Sequence, residues 1–112
     1  MSALARRKCL PCAGGVPPLR GRALAAIARE LGGGWRVVRG HHLKKEFRFR
    51  DFAEALAFVN EVGALAEKVF HHPDFVLAWG RVGVKLFTHK IGGLSESDFV
   101  LAAKIDALAP RT

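Results

Sequence analysis

Cysteine is scarce in this chain: Cys9 and Cys12 are its only two among 112 residues, too few for the multi-bridge framework that staples small secreted domains. As one C-x-x-C they supply only half of a tetrahedral zinc site, for which His41 and His42 are the only further ligands nearby in sequence, so two reduced cysteines in a Pro- and Gly-rich leader are expected instead. No strand precedes the motif, which counts against a redox role. Long hydrophobic runs are also missing. Nothing approaches the roughly 18 to 20 apolar residues of a membrane span, and Arg6, Arg7 and Lys8 are followed by no signal-peptide core. The acid-free opening "MSALARRKCLPC" is a lone transit-peptide trait, so a cytoplasmic protein is expected. Acids are rare in the first half: residues 1–50 hold twelve Lys and Arg against two acids, and residues 51–112 hold six against eight. Such a basic half suits phosphate backbone. Its charges, however, are spread over a tail, a helix and strands without a nucleic-acid reading motif, which favours a solvated surface. The chain has no internal repeat and no low-complexity tract.

What is present is a core. Half of the residues are hydrophobic and eight are Phe, and the length suits one domain. Residues 9–18, "CLPCAGGVPP", are rich in Pro and Gly, so residues 1–18 are expected to form an irregular leader and residues 19–112 the domain. Leu24, Ile27, Ala28 and Leu31 have helical spacing, ended by Gly32-Gly33-Gly34. "WRVV" and "LKKEFRFR" follow as strands around Gly40, Phe47 and Phe49 alternating with charged residues. At Asp51 the period changes. Phe52, Leu56, Val59, Ala66 and Phe70 mark one face of a long helix that Asp51 and Glu54 cap and Pro73 stops near His72. "DFVLAW" and "RVGVKLFTH" form a second hairpin about Gly80, and Ser95 with Asp98 opens a last helix carrying Leu101, Ile105 and Leu108. The order α-β-β-α-β-β-α predicts an α+β fold, a four-stranded antiparallel sheet with three helices packed on one face.

The stretch "EKVFHHPDF" places His71 and His72 at the end of the long helix. Glu67 lies one helical turn before His71, on its side, and His72 turns elsewhere. His89 leaves the last strand and Asp98 begins the last helix, so these groups gather at element ends. Each has an ordinary structural use: the histidines favour the negative end of a helix dipole, and Asp98 completes a cap. Together, three imidazoles titrating near neutrality are suited to giving and taking protons. A metal site is not expected, because His71 and His72 are adjacent rather than four apart and no H-E-x-x-H is present. His41 and His42 have no acid one turn away and stay outside this group.

"EKVFHHPDF", Trp79 six residues beyond Pro73, "THKIGGLSESD", and upstream "LKKEFRFRDFAEALAFV" together resemble the pterin-4a-carbinolamine dehydratases, from about Trp35 to Ala109. The resemblance implies loss of water from a 4a-hydroxytetrahydropterin to give quinonoid dihydropterin, in tetrahydrobiopterin recycling, with no metal or cofactor. It implies that His71, His72 and His89 surround the reacting carbon and that Glu67 and Asp98 orient them, leaving open which imidazole is acid and which base. Phe75 and Trp79 would wall the flat pterin. Phe75 stands where many members have Trp, and Lys90 where an acid is common, which bears on pocket shape and charge. The resemblance further implies a homodimer or homotetramer, a functional link to an aromatic amino-acid hydroxylase, and, since an animal relative partners a transcription factor, an alternative role as a non-enzymatic interaction module.

Overall fold

Four antiparallel strands in the order β1-β2-β4-β3 carry the helices on one face. The computed structural model describes residues 3–7 and 17–109; Cys9 and Cys12 lie outside them. The elements are α1 (Ala3–Arg6), α2 (Gly21–Leu31), β1 (Arg36–Val38), β2 (His42–Arg48), α3 (Phe52–Val69), β3 (Asp74–Ala78), β4 (Arg81–Leu86), a 3-10 turn (His89–Ile91) and α4 (Glu96–Leu108). The α+β class and the strand pairing are as the alternation predicted. No helix among the described residues is long and apolar enough to cross a membrane.

Strand parity decides which sheet face is dry. Leu43 and Phe47 on β2, and Val82, Val84 and Leu86 on β4, are buried toward the helices; in register Leu43 faces Leu86, Phe47 faces Val82 and Phe75 faces Val84. The residues between them, Lys44, Glu46 and Arg48 on β2 and Lys85 on β4, occupy the open face. Beneath the sheet lies α4, whose Phe99, Val100, Leu101, Ala102 and Ile105 are all buried. It can be apolar nearly all round because α1, α2 and α3 all pack against it. One polar lock ties its far end to the sheet: Asp106 accepts from Trp35 Nε1 at 3.0 Å and from Lys45 Nζ at 2.7 Å. Gly33 passes close beneath this lock, where a Cβ would come within 2.7 Å of Asp106 Oδ2.

Two expectations change. The leader is not wholly irregular, because Ala3–Arg6 forms a helical turn whose Leu4 is fully buried. It is held down where Lys104 Nζ donates to the Ala5 carbonyl at 2.7 Å and Arg7 pairs with Glu96 at 2.8 Å. Four residues carry no readable periodicity, so this helix exists through its contacts with α4. On α3 the buried stripe is Ala55, Phe58, Val62 and Ala66, whereas Phe52 and Leu56 keep 44% and 40% of their surface exposed. Phe58 turns inward because Phe47 and Phe49 receive it, at ring distances of 4.8 and 5.0 Å.

Candidate active site

The site is shaped by how α3 ends. The helix stops at Val69, and Phe70 takes a left-handed backbone, φ 54° and ψ 46°. The amides of Phe70 and His71 both donate to the Ala66 carbonyl, the latter at 3.1 Å, closing the last turn around a left-handed C-terminal residue. The reversal breaks the i to i+4 register, so Glu67 does not meet His71. His72 Nε2 instead donates to Glu67 Oε1 at 2.7 Å, and His71 swings inward to donate from Nε2 to Asp98 Oδ1 at 2.6 Å.

Asp98 is fully buried, and a carboxylate there needs several donors to offset its lost hydration. It has them. Its Oδ2 accepts from Thr88 Oγ1 at 2.8 Å and from the Ser95 amide at 2.9 Å, the latter closing the capping box of α4, while Oδ1 accepts the hydrogen bond from His71 Nε2. Thr88 is fixed in turn by its backbone amide, which donates a hydrogen bond to the Gly93 carbonyl at 2.8 Å. His89 follows Thr88 at the start of the 3-10 turn, its ring 4.1 Å from that of Phe87.

Phe70, His71, His72, Phe87, Thr88, His89 and Lys90 line a cleft of about 210 Å³. Pockets for drug-sized ligands run to roughly 300–1,000 Å³, so this one suits a small molecule. The three histidines predicted from sequence therefore share one cleft, with Asp98 behind His71 and Glu67 outside on His72. The two expected aromatic walls lie elsewhere. Phe75 packs into the core from β3, and Trp79 sits in the β3–β4 turn, 70% exposed. Residue 75 has core parity, and the five residues of β3 carry position 79 roughly 16 Å along the strand at about 3.3 Å per residue. The cleft's aromatic rings are Phe70 and Phe87. Phe87 was visible in the sequence as the residue sharing strand parity with His89; Phe70 was hidden by its apparent place on the helix face.

A second pair of imidazoles lies close by. His41 Nδ1 and His42 Nδ1 are 3.1 Å apart, and the His41 ring rests 4.7 Å from Phe87 on the side of the open sheet face. Burial holds His42 below the ordinary histidine pKa, helped by the charges of Lys85, His41, Lys44 and Arg39. Among the described residues no cluster of three or more His, Cys, Asp or Glu side chains is placed to hold a metal ion.

A sequence model of the pterin 4 alpha carbinolamine dehydratases matches residues 17–108. The chain belongs to this family. A dehydratase-family relative from Rubrobacter xylanophilus is 60% identical over 96% of this chain and 100% of its own length. The crystal structure of a transcriptional coactivator/pterin dehydratase from Brucella melitensis superposes with a TM-score of 0.77 at 35% identity, covering 83% of this chain and 99% of that one. A pterin dehydratase-like protein described as a RuBisCO assembly factor in the alpha-carboxysome gives a TM-score of 0.61 at 27% identity, over 73% and 96% of the two chains. The pterin dehydratase match begins ahead of Trp35 and takes in α2, beyond the stretch that carried the sequence resemblance.

Proposed function

We propose that this chain is a dehydratase that removes water from a 4a-hydroxytetrahydropterin to give quinonoid dihydropterin. The observation that carries the reading is the meeting of His71, His72 and His89 in one cleft, with His71 anchored on a buried carboxylate. Hydroxide is a poor leaving group. An acid must deliver a proton to the oxygen on C4a while a base takes the proton from N5; the C–O bond breaks, a C=N bond forms and water departs. His71 is the base in this scheme: its Nε2–H is committed to Asp98, which leaves Nδ1 as its free lone pair. His72 and His89 are then the sources of the proton. Phe70 and Phe87 face the flat ring. The substrate is the product of a hydroxylation that spends a tetrahydropterin, so an aromatic amino-acid hydroxylase is the natural neighbour.

Replacing His71, His72 or His89 singly with Ala should slow enzyme-dependent water loss by about 10²- to 10⁴-fold, the usual effect of a lost proton-transfer group. Folding, followed by circular dichroism, should hold for His72 and His89, which lie at element ends with exposed side chains. A wild type that never exceeds the spontaneous rate would sink the enzymatic reading. The interaction-module alternative would then lead, in line with the coactivator and assembly roles named for the two structural relatives.

A further inference from the structure

The open face of the sheet carries two groups of cations that the fold treats differently. At one end Arg48 and Arg81 stand opposite each other in register, and Glu46 reaches both, at 2.9 Å and 3.7 Å. Toward the cleft, Arg36, Lys44 and Lys85 form a row across β1, β2 and β4, each directly opposite the next. Like charges so placed destabilise a sheet, yet among the described residues no carboxylate pairs with any of the three. Asp74 stands across from Lys85 on β3 but makes no ion pair with it.

The turn beside this row adds a second anomaly. Arg39 has φ 54°, a left-handed position in a tight hairpin where Asn, Asp or Gly is preferred, so the chain keeps a cation there at the expense of backbone strain. Burial first, and then the neighbouring Lys85, His41, Lys44 and Arg39, hold the His42 proton affinity down. The patch also runs into the cleft. Lys85 Nζ lies 5.4 Å from the Phe87 ring, and Phe87 and Lys90 are cleft walls.

We propose that Arg39, His42, Lys44 and Lys85 form an anion subsite that takes a phosphorylated tail on the heterocycle held in the cleft. The proposal rests on the pterin reading for its heterocycle but not for its anion. Neighbouring strands are about 4.8 Å apart, so Lys44 and Lys85 can engage one phosphate together, with His42 and Arg39 at the side away from Asp74.

Inorganic pyrophosphate, titrated calorimetrically at fixed ionic strength, tests the anion independently of catalysis. The variant K44Q/K85Q should bind at least about tenfold more weakly than wild type, while R48Q/R81Q, with the same change in net charge, should match wild type. Arg39→Asn should weaken binding several-fold while raising the melting temperature, a pairing that general surface charge does not produce. Bound pyrophosphate should also raise the His42 pKa in an NMR titration. Equal losses in the two double variants would overturn the subsite, as would duplex DNA outcompeting pyrophosphate for Lys44 and Lys85. In turnover, a phosphorylated 4a-hydroxypterin should show a KM lower than its unphosphorylated form, the difference vanishing in K44Q/K85Q. Pyrophosphate binding without turnover would reject the dehydratase reading and keep the subsite; turnover without pyrophosphate binding would do the reverse.

Discussion

Phe70 combines two unfavourable features: a left-handed backbone without being Gly or Asn, and a large apolar residue left 80% exposed to water. Relief of the backbone term is worth about 1–2 kcal/mol, against about 0.4–1 kcal/mol for the extra freedom glycine gives the unfolded chain. Phe70→Gly should therefore stabilise the fold by roughly 0.5–1 kcal/mol in urea denaturation, while raising KM several-fold with kcat retained, because a wall of the cleft is gone. Asp98 makes the opposite case. In Asp98→Asn the amide oxygen must stay with the Ser95 amide and Thr88 hydroxyl, which turns the NH₂ toward His71. His71 then accepts at Nε2 and carries its proton on Nδ1, the wrong tautomer for a base. Turnover should fall by about 10²- to 10⁴-fold, and stability by about 1–3 kcal/mol, read by kinetics and denaturation on the same preparation. His71, His72, His89, Glu67 and Asp98 were legible because chemistry-bearing residue types at element ends stand out in a sequence. Their pairing was not. It depends on one positive φ at Phe70, which no Gly or Asn announces.

At the scale of elements, α1 is the piece whose stability comes from elsewhere. A four-residue helix cannot hold itself, so Leu4→Ala should destabilise by about 2 kcal/mol in a urea titration, the low end of the range for buried leucines. The loss is limited because α1 can undock before the rest unfolds. Strands were readable from parity, and the α3 and α4 starts from Asp51 with Glu54 and Ser95 with Asp98, since those patterns act locally. The buried face of α3 was not. Its sequence carries two apolar stripes, Phe52-Leu56-Val59 and Ala55-Phe58-Val62, and only the position of Phe47 and Phe49 across the core selects the second.

The whole molecule carries a formal charge of +8, concentrated in the half that supplies β1 and β2. Its pH response follows from where that charge is packed. His42, held below its ordinary value of 6.5 by burial and then by Lys85, His41, Lys44 and Arg39, declines a proton that the unfolded chain accepts. The unfolded state thus binds more protons as pH drops through about 6.5 and downward to the folded value, and stability falls in that window. His42→Gln removes this contribution. Melting temperatures from about pH 7.5 to 5.5 should decline less steeply in the variant than in wild type.

The bond from the Ser95 amide to Asp98 Oδ2, 2.9 Å long, has a temporal meaning. Asp98 is at once the cap of α4 and the anchor of His71, so a fluctuation that frays the start of that helix also releases the imidazole. Exchange of one amide proton with deuterated water therefore clocks how often the cleft loses its arrangement, in resting protein and without any pterin present.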